Sequence, residues 1–432
     1  MQPSRRGVVA IAAGAVSALW LVLLSGWLGV TPGSILVSRQ NVLFNSDTNL
    51  WIQEMVWAHK PFTRAVHPLQ VYLWRAPCAL LGHVFQSFTT REGAGILAAR
   101  VVVASVAGTG TGFLALVASE VGLGGAQLLL LFTMYLGFTV SSTIALPEHF
   151  GISNGLLATA FAVPIVLRSS RLKTAALAIL AVMCGGTTIT NVLFPIASLW
   201  RYCVRSSRVR WAIAGALLLT VVLAAFFYRD AHEEIHTPPG VRTKAILTPL
   251  VPGLAPLYLR ATMIDIYVTE YLNLRLIREP ANAAVYALFG IVAPAIGPAP
   301  LVAINKGAEM VSYEPSRRPV QLAFYWAPQL AGASAWIALL ALCAYNAVRD
   351  PRTRDWVWLP IGWITFNLVF HNIWGDELLL YSAHWSWALM AIVILGARHL
   401  SRVTTASLVT IVLICQAYTL IEIRAALGTI LR

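Results

Sequence analysis

HPLQVYLWRAPCALLGHVFQSF, His67 to Phe88, settles on which side of a bilayer every later loop of this chain falls. A crossing helix needs roughly 20 apolar residues, and this stretch is long enough but carries Pro68, Arg75 and Pro77. If it crosses, each later loop changes side. If it lies in the outer interface as an amphipathic segment, then Arg168, Arg171 and Lys173 face the cytoplasm. So do Arg201, Arg205, Arg208 and Arg210, as the positive-inside rule requires. We therefore read it as non-crossing.

Composition explains why a bilayer is the frame. Of 432 residues, 58% are hydrophobic and 11% charged, whereas soluble domains carry about 25% charged residues. So few charges cannot cover a water-facing surface, which excludes a soluble globular enzyme; abundant apolar side chains exclude disorder. The 31 Lys and Arg against 18 Asp and Glu give a net charge of +13. They fall in short clusters between apolar runs, the pattern of cytoplasmic loops rather than of nucleic-acid binding. Anionic lipid or a phosphate-bearing substrate fits the excess better. The five cysteines are scattered without Cys-x-x-Cys or Cys/His spacing, so neither a zinc site nor a disulfide framework is indicated.

The chain opens with MQPSRR and an apolar run to Val30 without a small-x-small cleavage site, and reads as a retained signal-anchor helix starting in the cytoplasm. Further spans are expected at Ala98–Ala118, Ala126–Leu146, Gly151–Leu167, Trp211–Tyr228, Ala283–Ile304, Leu322–Val348, Trp356–Ile373, Leu378–Leu395 and Thr404–Ile423. Thr174 to Trp200 is too long for one span and short for two, so Gly185-Gly186 suggests a tight hairpin. Whether residues 246–279 cross or re-enter stays open. The expectation is an all-α polytopic protein with about 12–13 spans.

Ionisable residues at membrane depth are functional candidates, and the outer loops hold the best set. Asp47 sits in FNSDTNLW, His67-Pro68 opens the interfacial segment, and Glu148-His149 sits in LPEHF between two apolar spans. In WGDELLLYSAHW, Glu377, Tyr381 and His384 share one face of a helix by spacing. Plainer roles fit the same residues. Asp47 or Glu148 suits a helix cap, His67 can anchor a Pro-started helix, and Trp and Tyr form interfacial belts. His232, Glu233, Glu234 and His236 read mainly as a solvated face.

Taken in order, Asp47 after the first span, His67-Pro68, Arg100 at the start of the second span and Glu148 after the third resemble the GT-C superfamily of integral-membrane glycosyltransferases. The likeness is to the bacterial branch near protein mannosyltransferases and aminoarabinose transferases, and covers about half the chain. It implies a GT-C-like module over residues 1–210, with its first outer loop at 31–97. A C-terminal transmembrane region follows over 211–432, with an outer loop beginning near 229. The implied activity is transfer of a sugar from a polyprenyl-phosphate donor to a glycan, protein or lipid acceptor outside a bacterial inner membrane. Asp47 and Glu148 are then the catalytic carboxylates, with Asp47 as the base that takes the acceptor hydroxyl's proton. His67, His149, Arg100, Arg242, Arg260, Glu377, Tyr381 and His384 are the substrate-binding candidates. No cofactor is called for, and a divalent metal is left open. No Asp-x-Asp triplet occurs, which argues against a metal-dependent oligosaccharyl transfer site.

A transporter or flippase for a lipid-linked or amphipathic solute is the competing expectation. It needs ionisable residues midway through spans and broken helices at matched positions. Here the acids lie at the outer rim instead.

Overall fold

The computed structural model describes residues 3–38, 42–43, 46, 48–57, 67, 69–202, 274–292, 294, 301–305, 308–312, 327–374 and 378–430, with isolated positions between 211 and 218. Asp47, Arg242, Arg260, Glu377 and most of Trp211–Tyr228 lie outside the described residues.

The chain runs through α1 (Pro3–Leu28), α2 (Ile35–Ser38), α3 (Thr48–Met55), α4 (Gln70–Phe85), α5 (Arg91–Glu120), α6 (Gly125–Leu136), α7 (Ser141–Ile144), α8 (His149–Val166) and α9 (Ser170–Thr187). A 3-10 turn (Ile189–Val192) leads to α10 (Leu193–Tyr202). Then come α11 (Arg275–Arg278), α12 (Pro280–Val292), β1 (Leu301–Asn305) and β2 (Ala308–Ser312). The last helices are α13 (Ala327–Arg349), α14 (Arg354–Ile373), α15 (Leu378–Ser382), α16 (Ser386–Ala397) and α17 (Arg402–Ile430). Among the described residues, α1, α5, α8, α13 and α17 are long and apolar enough to cross a bilayer. This is a helical, multi-pass membrane protein.

Glycines hold the first three long helices together. On α5, Gly108 and Gly112 lie on one face and Gly110 on the other. A Cβ on Gly108 would stand 2.5 Å from the Gly14 carbonyl oxygen of α1, and one on Gly110 would stand 2.6 Å from the Gly155 Cα of α8. Small residues let helix backbones approach this closely in lipid, where apolar burial alone gives helices little reason to associate.

Ion pairs collect at one end of the bundle. Arg6 at the start of α1 meets Glu120 at the end of α5 at 2.8 Å, and Arg168 just past α8 meets the same carboxylate at 3.4 Å. Asp350, between α13 and α14, pairs with Arg398 and, at 2.9 Å, with His399, both just past α16. The Arg398 guanidinium also donates to the Val121 carbonyl at 3.3 Å. Arg201 and Tyr202 at the end of α10 hold Asp355 at the start of α14. The positive-inside rule assigns this end to the cytoplasm.

From that end α9 rises to Thr187 and α10 returns, so the 174–200 stretch is a hairpin, turning just after Gly185-Gly186. Glycine is needed at 186 because a Cβ there would sit 2.8 Å from the Leu69 Cβ. The two ends of α4 lie at the opposite end of the bundle. The Leu69 N–H donates to the Gly186 carbonyl at 2.8 Å, and Gly82 faces Gly95 and Ala98 near the start of α5. Helix α4 therefore runs along that end without traversing the bundle, as Pro68, Arg75 and Pro77 indicate.

Three expected continuous spans are interrupted. The 126–146 run breaks after α6. There Thr139 donates to Gln416 of α17 at 2.5 Å, and the Ser142 and Thr143 hydroxyls bond the Thr139 and Val140 carbonyls, competing with the helical ladder. The 378–395 run breaks at residues 383–385, where the His384 carbonyl accepts the indole N–H groups of Trp363 and Trp387, each at 2.8 Å. Tyr381 and His384 therefore do not share one continuous helix, and Glu377 lies outside the described residues. The 283–304 run stops with α12. Pro294, Pro298 and Pro300 lack the donor a helix needs, and β1 pairs antiparallel with β2 from Leu301↔Ser312 to Asn305↔Ala308. This hairpin is an addition to the expected all-α architecture.

Candidate functional site

The C-terminus of α9 is the platform. Helix ends leave carbonyls without intrahelical donors, and the segment opening α4 supplies them. His67 Nδ1 lies 2.6 Å from the Thr187 carbonyl oxygen, and the Trp74 indole N–H donates to Thr187 Oγ1 at 3.1 Å. A carbonyl only accepts, so Nδ1 carries the ring proton and Nε2 carries the lone pair.

Helix α8 begins against this platform. Glu148 is its N-cap residue, in extended backbone geometry and without a capping bond from its side chain. The His149 ring packs 4.1 Å from that of His67 and 4.0 Å from that of Phe150, and 6.2 Å from that of His384. The α15–α16 break brings in the last group. Phe150 meets the edge of His384 at 5.2 Å, and Tyr381 stacks on His371 of α14 at 4.3 Å. His384 Nδ1 faces Asn191 Nδ2 at 3.1 Å. An amide nitrogen donates, so this ring holds its proton on Nε2.

The break itself is held from within the bundle. Asn154 of α8 donates to the Ala383 carbonyl at 2.7 Å and to Ser386 Oγ at 2.9 Å. It accepts from the Tyr135 hydroxyl at 2.9 Å. Each partner closes a polar demand that would otherwise stand open in an apolar interior.

The fold thus brings together His67, Glu148, His149, Tyr381 and His384. Arg100 is engaged elsewhere: its guanidinium lies against Gly26 and donates to the Val22 carbonyl and, at 3.4 Å, to the Val30 carbonyl at the end of α1. Asp47, Arg242, Arg260 and Glu377 fall outside the described residues, although Ser46 and Thr48 flanking Asp47 bond each other at 3.2 Å. Residues that sequence reasoning passed over join the site. Glu54 of α3 accepts from Gln70 at 3.3 Å beside His67, Asn191 and His371 meet the rings of His384 and Tyr381, and Asn154 holds the backbone of the break. A single carboxylate in the apolar WIQEMVW was the available signal for Glu54. Among the described residues, no group of three or more His, Cys, Asp or Glu side chains is arranged to hold a metal ion.

Chemically, the site combines a proton-accepting ring nitrogen, a proton-donating one, carboxylates and aromatic faces, all at the end of the bundle away from the basic clusters. Comparison with protein-family models, with curated proteins and with solved structures gives no match to this chain.

Proposed function

We propose that the chain is an integral-membrane glycosyltransferase that moves a sugar from a polyprenyl-phosphate carrier to a hydroxyl acceptor on the outer face of a bacterial plasma membrane. One observation carries the reading: His67, Glu148-His149, Tyr381 and His384, from separate segments, converge at the end of the bundle opposite the basic clusters, beside a helix that runs along that end. A carrier with a long hydrocarbon tail presents its sugar at the lipid–water boundary. The transfer needs a proton acceptor for the incoming hydroxyl and groups that stabilise the departing phosphate. Transport would call for ionisable groups and broken helices at mid-depth. Helices are broken here after α6 and between α15 and α16, but the ionisable cluster sits where α8 begins and α9 ends.

The test is reconstitution of the chain into liposomes with a panel of polyprenyl-phosphate sugars and soluble saccharide acceptors. Transfer by the wild type, lost in a folded Glu148→Gln variant, supports the reading. Coupled ion or lipid flux without a new glycosidic bond overturns it in favour of a transporter.

A further inference from the structure

A general base must touch the proton it removes, so exposure separates the acid–base groups at this site. Among the described acid–base groups, Glu148 is 1% exposed, His384 4% and His149 8%, all three buried. His67 is half-buried. Its orientation is also set in advance, because Nδ1 is committed to the Thr187 carbonyl at 2.6 Å. The hydrogen bonds from Leu69 to Gly186 and from Trp74 to Thr187 tie the same segment down on either side. The end of α9 carries the partial negative charge of its aligned peptide dipoles, which favours the imidazolium that forms when the ring takes a proton.

Resting on the glycosyltransferase reading, we propose that His67 is the catalytic base, acting through Nε2. The acceptor O–H proton passes to Nε2 while an electron pair on that oxygen forms the bond to the anomeric carbon. The bond from the anomeric carbon to the carrier's phosphate oxygen breaks, and its electrons leave on the phosphate. Among the described residues, the ionisable groups nearest His67 are His149 of α8, whose ring meets it, with Glu148 next to His149 in the chain, His384 from the α15–α16 break beyond His149, and Glu54 of α3 through Gln70. The buried carboxylates support the cation rather than take the proton.

His67→Asn tests this directly. The Asn amide nitrogen stands near the position of Nδ1 and keeps a donor for the Thr187 carbonyl, but nothing replaces Nε2. In proteoliposomes the variant is expected to lose roughly 10²–10⁴-fold in kcat and to lose the acidic limb of the pH–rate profile. Added imidazole is expected to restore part of the rate, with KM for the carrier unchanged. Retention of the acidic limb with a rate within about threefold of wild type overturns the assignment. So does removal of that limb by Asp47→Asn while His67→Asn keeps it. A folded wild type that transfers no sugar from any carrier refutes the functional reading, and the base assignment falls with it. If His67→Asn fails to fold, His67→Gln is read by the same profile, and unaltered kinetics in that variant overturn the assignment equally.

Discussion

Replacing Gly155 of α8 with Ala forces two helix backbones apart. The new Cβ would run into the Val106 carbonyl of α5 and stand 2.8 Å from the Ala107 Cα, where ordinary contact starts at 3.4 Å. The Ala107 contact alone requires about 0.6 Å and the Val106 carbonyl requires more, and both obstacles are backbone, so no side chain can swing aside to supply it. Overpacking of this kind costs about 1–3 kcal/mol. Gly362→Ala in α14 is the matched control, since a Cβ there meets nothing within 4 Å, and losing a helical glycine is worth about 0.5–1 kcal/mol in favour of the variant. That gain is common to both variants, so they should differ by the overpacking cost alone, about 1–3 kcal/mol, read as unfolding midpoints in detergent by fluorescence-monitored size exclusion. Gly110→Ala faces the same seam, and combined with Gly155→Ala should cost less than the sum, because helices already parted have made the room. Equal midpoints for Gly155→Ala and Gly362→Ala would refute close backbone packing between α5 and α8.

Two further perturbations probe the supports of the site and the opposite end. Asn154→Leu strands the Ala383 carbonyl and takes from the Tyr135 hydroxyl one of its two partners, Ser386 remaining, at about 1–3 kcal/mol for the buried group left unpaired. It should lower the unfolding midpoint and reduce transfer together, and an unchanged midpoint would show that the α15–α16 break holds without it. Asp350 gives the pH dependence. Burial pushes its carboxyl up, but the Arg352 N–H, His399 and Arg398 outweigh this and hold it below the ordinary carboxylate range. Its stabilising contribution is therefore present above that range and lost as pH falls through the lowered folded-state value. Asp350→Asn should cost on the order of 1 kcal/mol at neutral pH, after discounting for solvent around His399. The gap between variant and wild type should close on acidification, and a gap that widens instead would reverse the assignment.

What could be read in advance follows the range of the forces involved. Helices α1, α5, α8, α13 and α17 declare themselves because an unbroken apolar run is a local property. The hairpin after Gly185-Gly186 and the non-crossing α4 were legible for a similar reason, in glycine, proline and arginine placed where a span would not tolerate them. The breaks at 137–140 and 383–385 were not, because their causes lie far along the chain, in Gln416, Trp363 and Asn154. His67, His149, Tyr381 and His384 stood out as polar residues at the ends of apolar runs. Asn154 and Asn191 did not, since a lone amide inside an apolar segment gives no sign of which carbonyl or ring it will meet. Arg100 shows the converse: a cation at the start of a span suits a phosphate, yet it bonds the Val22 carbonyl within α1 and the Val30 carbonyl just past it.

Helix α16 is enclosed by protein along its length, with Trp387, Ala388, Met390, Ala391 and Val393 to Leu395 at 1% exposure or less, whereas α1 turns Val8, Ile11, Leu19 and Leu23 outward. A helix that touches no lipid owes nothing to bilayer thickness, and twelve residues suffice for α16. Thinner or thicker membranes would be met by tilting of the peripheral helices, leaving the turn at His384 indifferent to the lipid in which the protein is housed.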